Sequence, residues 1–249
     1  MSDSSRPRQC IPLRERFFCD GPYYLITSAS LGGSDITSAE IADIVGRGDE
    51  LEVTDLLQKE ICIPLFFPGD CAFDNAIAVV GDLTEQEANE WIGRISWKLN
   101  IPCGKLLIVC GGGDEDDLAA AISGEGYEGF DDYFETLDVP PGEYLVEIYA
   151  YVSSMTVDLY FRDDEPLSEW FYQTRPGMEL PRWLQQFNTG RAIGELGDEL
   201  VSYLIRLAPL EAEPPLPKLV SEIGWCGEFE YRRPEICPLG ISRSTLLGE

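Results

Sequence analysis

The sequence predicts an α+β protein in which antiparallel β-structure dominates. Two short apolar runs, residues 61–67 (ICIPLFF) and 75–81 (NAIAVVG), are bounded by Pro-Gly-Asp and Gly-Asp turn signals. This is typical of buried strands, and we expect the two to pair. Residues 144–151 and 156–162 alternate between apolar and polar side chains, the pattern of strands with one exposed face. Two capping-box sequences predict helices between the strands.

Each capping box has a threonine with a glutamate three residues later. The first begins at Thr37 and predicts a short helix over residues 37–45, closed by Gly46. The second begins at Thr84 and predicts the strongest helix of the chain, ended by Pro102. The apolar face of this second helix would carry Ala88, Trp91, Ile92, Ile95 and Leu99.

Further strands and a hairpin follow in the middle of the chain. Residues 105–110 (KLLIVC) predict a strand. The acidic run 111–117 (GGGDEDD) predicts the start of a helix, because acids complement the helix dipole. Gly124 would end that helix. Residues 138–162 predict a half-exposed antiparallel hairpin that follows a Val-Pro-Pro-Gly turn. On its first strand, Val146, Ile148 and Ala150 would face one side, and Glu147 and Tyr149 the other.

The C-terminal third is more irregular. Residues 165–187 predict short helical turns, residues 200–207 a strand, and residues 208–218, with their four prolines, a stiff connector. Residues 219–249 should dock against the body through their aromatic side chains, Trp225, Phe229 and Tyr231. The predicted organisation is an N-terminal arm (1–19), a β-rich core domain (20–164) and a C-terminal elaboration (165–249) that contains the connector.

The charge of the chain is strongly negative and unevenly distributed. The 249 residues carry a net charge of −27, and residues 17–231 hold 41 of the 45 acids but only 11 of the 18 bases. Direct nucleic-acid binding is disfavoured, because contact with phosphates needs a basic surface. The acidity favours either a basic protein partner or simple solubility.

The cysteines and the apolar segments bear on where the protein works. No apolar run approaches the roughly 20 residues that span a bilayer, and the first residues lack the apolar core of a signal peptide. We therefore expect a cytoplasmic protein with no membrane contact. Its cysteines should be free thiols that are mostly buried; they are Cys10, Cys19, Cys62, Cys71, Cys103, Cys110, Cys226 and Cys237.

The absence of histidine removes the usual general base and nitrogen metal ligand, so Ser-His and Cys-His nucleophilic sites are excluded. No Cys-x-x-Cys pair gives a zinc spacing, and the run at 111–117 lacks both the lysine of a P-loop and the ligand spacing of an EF-hand. A glycosidase that works through two carboxylates stays an open alternative. Its candidate acids, which lie near aromatic residues, are Asp131, Asp132, Glu147 and Asp158. We assign no catalytic, cofactor-binding or metal-binding residue and expect no cofactor.

Residues 20–162 resemble the family of the bacterial competence protein J. The residues that carry the resemblance are the run KLNIPCGKLLIVCGGG with Ile101 and Pro102, the turn from Pro140 to Tyr144, and the segments YLVEIYAY and TVDLYF. The resemblance implies a β-sandwich-like domain with few helices. It also implies an acidic protein that binds and inhibits a nuclease, without catalysis of its own.

The leading hypothesis is a non-enzymatic interaction module that binds a basic protein such as a nuclease or toxin through electrostatic complementarity. Tyr149, Tyr151 and Tyr160 are candidate anchors for such a partner, since tyrosine is enriched in protein interfaces. Two alternatives stay open. One is a carboxylate-based enzyme of the glycosidase type, and the other is an acidic mimic of nucleic acid.

Overall fold

The fold is described by a computed structural model that places most of the chain. The described residues are 8–14, 17, 21–69, 73, 76–111, 115–124, 133–162, 166–189 and 199–248.

One six-stranded sheet, which we call sheet A, is built from distant parts of the chain. Its strands are antiparallel to their neighbours except for one parallel pair in its centre, β4 with β9. Their order across the sheet is β1 (Gln9–Pro12), β4 (Ile77–Val80), β9 (Tyr203–Pro209), β8 (Gly142–Ala150), β5 (Gly93–Ile101) and β12 (Glu230–Tyr231).

A second six-stranded sheet, sheet B, packs against the first. Here only β11 and β3 are parallel among the described strand pairs. The order is β10 (Leu219–Val220), β11 (Trp225–Cys226), β3 (Cys62–Phe66), β2 (Tyr23–Ser28), β6 (Lys105–Cys110) and β7 (Phe134–Asp138). The predicted α+β, sandwich-like fold is confirmed.

The main apolar core lies between the two sheets. Trp97 of β5 and Val146 of β8 meet Tyr24 and Ile26 of β2 there, all fully or almost fully buried. The indole N–H of Trp97 donates to the carbonyl of Leu57 at 2.8 Å, so this large side chain is buried without an unsatisfied donor. Burial of apolar area from both sheets is the dominant stabilising contribution.

Three helices cover the outer side of sheet B. They are α1 (Ser38–Arg47), α2 (Glu50–Gln58) and α4 (Glu115–Ser123). Their apolar sides form a second core with the outward side chains of β2 and β6. The predicted capping box at Thr37 is confirmed, but α1 continues past Gly46 to Arg47. It is capped by Gly48, whose left-handed φ of 63° lets its N–H reach the carbonyl of Ile44.

The remaining helices pack on sheet A or at the end of the main core. Strands β4, β8 and β9 form a third apolar cluster on the outer side of sheet A. Helix α8 (Arg243–Leu247) packs on that cluster, and Trp91, which follows α3 (Glu85–Glu90), belongs to it. Helices α5 (Met155–Phe161), α6 (Leu167–Thr174) and α7 (Arg182–Asn188) bury side chains in the main core, which confirms the helical turns expected over 165–187.

Two predictions about the middle of the chain are wrong. The runs 61–67 and 75–81 do form strands, but they do not pair, because β3 lies in sheet B and β4 in sheet A. The helix that begins with the confirmed Thr84 capping box ends at Glu90, and residues 93–101 form β5 instead. Ile95 and Leu99 are buried because they lie on the inner face of a strand, where a separation of four residues fits the two-residue repeat as well as it fits a helix.

The predicted hairpin over 138–162 is also wrong. Its first half is β8, with Val146, Ile148 and Ala150 on the inner side as expected, but β8 pairs with β5 and β9 and is buried on both faces. Its second half is helix α5, capped by the hydroxyl of Ser154, which accepts from the N–H of Val157. The strands expected at 105–110 and 200–207 are confirmed.

The cysteines agree only in part with the expectation of free thiols. Cys10, Cys62, Cys103, Cys226 and Cys237 are free, and the last two and Cys62 are buried. Cys110 is disulfide-bonded, so the prediction is wrong at that position. Because disulfides are typical of oxidising compartments, the cytoplasmic location stays a prediction. In the described part of the chain, no helix is long and apolar enough to cross a membrane.

Both ends of the described chain connect the two sheets. At the N-terminal end, β1 belongs to sheet A, while Arg14 just beyond it pairs with Glu135 of β7 in sheet B at 2.6 Å. At the C-terminal end, β11 belongs to sheet B and β12 to sheet A, and Trp225 and Phe229 are buried as predicted. The division at residues 19 and 164 stays a prediction, although β1 and β9 both lie in sheet A.

Candidate functional site

The solvent side of helices α1, α2 and α4 is rich in acidic residues; we call it the acidic face. Residues 35–60 carry eight acids and two bases, and α4 adds three acids and no base. The helices hold their apolar sides against sheet B, and acids such as Glu50, Asp55 and Asp116 are exposed to solvent. The acids of the acidic face whose side chains are described are Asp35, Glu40, Asp43, Asp49, Glu50, Glu52, Asp55, Glu60, Asp116 and Asp117. Among them, Glu60 pairs with Lys98 of β5 at 3.1 Å.

The two bases of the acidic face are already bound by neighbouring acids. Arg47 pairs with Asp43 at 3.0 Å and with Glu52 at 2.7 Å. Lys59 pairs with Asp55 at 2.6 Å. The acidic face therefore keeps a large surplus of negative charge, which creates a potential that attracts cations.

The outer side of sheet A carries a contrasting row of alternating charges, which we call the ladder. Glu147 of β8 lies at its centre, with its side chain only 5% exposed, and pairs with Arg206 at 2.7 Å and with Arg94 at 3.3 Å. Arg206 also pairs with Asp82 at 3.1 Å, and Arg94 with Glu230 at 2.6 Å. Cross-strand pairing places these residues side by side, since Glu147 is opposite Arg206 and Glu230 is opposite Arg94.

Aromatic side chains line one end of the ladder. Burial, followed by the neighbouring Glu147 carboxylate, raises the pKa of Tyr149 to about 12. The guanidinium carbon of Arg232 lies 3.7 Å from the ring centroid of Trp91, and that of Arg94 lies 5.1 Å from the same centroid. Every charge at the centre of the ladder is compensated, which is the arrangement of a structural network.

The structure separates the tyrosines that the sequence grouped as partner anchors. Tyr149 and Tyr151 are 3% and 0% exposed, so the prediction that they are surface anchors is wrong. Tyr160 lies on helix α5 instead of a strand and is 41% exposed; it stacks on Tyr231 with ring centroids 4.5 Å apart. Of the three, Tyr160 alone is available to a partner.

The carboxylates considered for glycoside hydrolysis have different surroundings. Asp131 and Asp132 lie outside the described residues. Glu147 is engaged by two arginines of the ladder, and Asp158 pairs with Arg162 at 3.2 Å along helix α5. Neither Glu147 nor Asp158 lines the cleft described next, and the enzyme alternative stays a prediction.

Sequence reasoning missed a cleft of about 680 Å³ between α3, the end of α6 and residues 232–236. One face of α3 forms one wall, and Arg175, Arg232 and Ile236 lie among the residues of the other walls. The wall formed by α3 belongs to a helix whose start the sequence predicted, but the other walls come from segments more than 80 residues away along the chain. The cleft is lined by Glu85, Gln86, Asn89, Glu90, Arg175, Arg232, Pro234, Glu235 and Ile236.

No protein-family model matches the chain, and no curated protein matches it in sequence. Among solved structures, the chain is similar to one titled "Crocagin biosynthetic gene J", at 15% identity and a TM-score of 0.39, over 81% of this chain and 95% of that one. It is also similar to ComJ from Bacillus subtilis, an inhibitor of the DNA degrading activity of NucA, at 8% identity and a TM-score of 0.32, over 83% and 97% of the two chains. The loose resemblance to the competence protein J family, expected from the sequence, is confirmed.

Proposed function

We propose that this chain is a protein-interaction module that binds a basic protein through the acidic face. The observation that carries the proposal is the charge surplus of that face, where both bases are already paired with acids of the same surface. Electrostatic complementarity accelerates association and selects against partners of the wrong charge. The partner class to test first is a basic nuclease or toxin, with this chain as its inhibitor or immunity-type binder.

Rigid support for the acidic face favours this role. Helix α1 is fixed at its start by the Thr37 capping box and at its end by Gly48, and its apolar side is held by Ile41 and Val45 in the second core. Hydrogen bonds from the backbone N–H and the hydroxyl of Thr37 lower the pKa of Glu40, which keeps that carboxylate charged. A preorganised surface loses less conformational entropy when it binds.

The experiment compares the wild-type chain with two variants that each lose three negative charges. The face variant combines Glu50→Gln, Asp55→Asn and Asp116→Asn. The control variant neutralises three exposed acids on other elements, Asp138→Asn, Glu143→Gln and Glu179→Gln. Each chain is immobilised and exposed to nuclease-treated lysate of the source cells in low salt; retained proteins are identified by mass spectrometry, and the dominant basic one is purified for titration.

We expect the purified partner to bind wild type and the control variant alike, and the face variant at least about ten times more weakly, because electrostatic steering depends on local charge. Affinity should also fall steeply as salt rises, since exposed charges are screened. If the face variant bound the partner as tightly as wild type, or if salt did not weaken the binding, the proposal would be contradicted. Displacement of the partner by duplex DNA would identify the nucleic-acid mimic.

A further inference from the structure

The cleft between α3, α6 and residues 232–236 contains two firmly anchored arginines. The Nε–H of Arg175 donates to the carbonyl of Cys237 at 2.6 Å, which fixes the guanidinium and leaves both of its NH2 groups without a described partner. Arg232 donates through Nε and one NH2 group to the carbonyls of Trp91, Ala88 and Asn89 at 2.7–3.0 Å. Its second NH2 group has no described partner.

These two arginines lack the ion pairs that are common elsewhere in the described chain. Arg8, Arg94 and Arg206 each pair with a carboxylate, whereas neither Arg175 nor Arg232 does so with any described acid. Burial, followed by the repulsion of nearby Arg94, lowers the pKa of Arg232. Glu230 attracts Arg232 through space, and Glu85, Glu90 and Glu235 line the same cleft, but none of these acids forms an ion pair with either arginine. Both guanidinium groups therefore keep N–H donors that have no described partner.

We propose that the cleft binds a small organic monocarboxylate, with its carboxylate on Arg175 and Arg232 and its apolar body against Pro234 and Ile236. Guanidinium groups bind carboxylates through paired, charge-assisted hydrogen bonds. Ile236 is 56% exposed, so it offers an apolar surface to a ligand in the cleft. Pockets of roughly 300–1,000 Å³ are typical of small-molecule sites.

The acids of the same cleft select the charge of the ligand. Glu85 and Glu235 are exposed and have no described side-chain partner, so they would repel a second negative charge. The carboxylate of Glu90 is already hydrogen-bonded within the protein, because it accepts from the backbone N–H of Gly240 at 3.0 Å and from the side-chain amide of Gln86 at 3.2 Å. A singly charged carboxylate therefore fits better than a dicarboxylate or a phosphate.

The test is isothermal titration of the full chain with acetate, butyrate and hexanoate at low salt and pH 7.5. We expect saturable binding that tightens with chain length, because each added methylene buries apolar area. Hexanamide, succinate and inorganic phosphate should each bind at least about ten times more weakly than hexanoate, since they lack the single negative charge. Absence of saturable hexanoate binding, or equal binding of hexanamide or phosphate, would overturn the proposal.

Three variants locate the site. Arg175→Gln should weaken hexanoate binding at least about tenfold through loss of the charged donor. Glu235→Gln should strengthen it about two- to fivefold, because it removes a repulsive charge, and a gain of this kind cannot come from misfolding. Arg162→Gln, which removes an exposed guanidinium on α5, is the matched control and should leave the affinity unchanged. Unaltered binding by both Arg175→Gln and Glu235→Gln would refute the assignment of the cleft.

Discussion

At the scale of single residues, Glu147 is the central anion of the ladder on sheet A. Its carboxylate is buried and joins Arg94 to Arg206, so Glu147→Gln leaves two guanidiniums facing each other without their shared anion. We expect a loss of about 3 kcal/mol in the free energy of unfolding, measured by urea denaturation. The control Asp158→Asn breaks an i,i+4 pair with an exposed arginine on α5 and should cost less than about 1 kcal/mol. If Glu147→Gln and Asp158→Asn lost the same free energy of unfolding, the ladder would stabilise the fold no more than an exposed ion pair does.

Tyr149 beside the ladder gives a prediction on pH. Its pKa is raised from 10 to about 12 by burial and by the Glu147 carboxylate, so the folded state favours the neutral phenol. The contribution of this group to stability is therefore complete below pH 10 and declines as the pH rises from 10 towards 12, by at most about 3 kcal/mol. Tyr149→Phe should lose less stability than wild type between pH 9.5 and 11.5 in urea titrations. An identical decline in both proteins would contradict the prediction.

At the scale of elements, the end of α1 requires glycine at position 48 but not at position 46. Gly48 has φ 63°, and a Cβ there would overlap the carbonyl oxygen of Ile223 in the turn between β10 and β11. Gly48→Ala should therefore destabilise the fold by about 1–3 kcal/mol. Gly46→Ala, which meets open space within the helix, should stabilise it by about 0.5–1 kcal/mol. Thermal unfolding of the two variants measures both signs, and the same sign for both would refute this account.

The elements also show where local patterns were sufficient and where they failed. Both capping boxes and strand β6 follow from side chains close in sequence, and all three were predicted. Ile95 and Leu99 were assigned to a helix because their separation of four residues satisfies a helix and the inner face of a strand alike. Only the long-range pairing of β5 with β8, about 50 residues away along the chain, decides between the two.

At the scale of the whole molecule, the sequence revealed the amount of charge but not its location. The acidity of residues 35–60 was plain from composition, whereas their common surface with α4 depends on the packing of both segments on sheet B. The ladder joins residues of β5, β8, β9 and β12, and the cleft joins α3 to Arg175 and residues 232–236, so no local motif marks either. Sites assembled by tertiary structure are the part of function that composition and spacing leave open.

The net charge of −27 makes a last prediction about the molecule as a whole. Like charges on the acidic face repel one another in the compact state, and added salt screens that repulsion more than it weakens the buried pair of Glu147 with Arg206. The midpoint of thermal unfolding should therefore rise by several degrees between about 20 and 300 mM NaCl at pH 7.5. The variant with Glu50→Gln, Asp55→Asn and Asp116→Asn should show a smaller rise, because it carries less repulsion on that face. A midpoint that falls with salt would mean that ion pairs contribute more to stability than the repulsion costs.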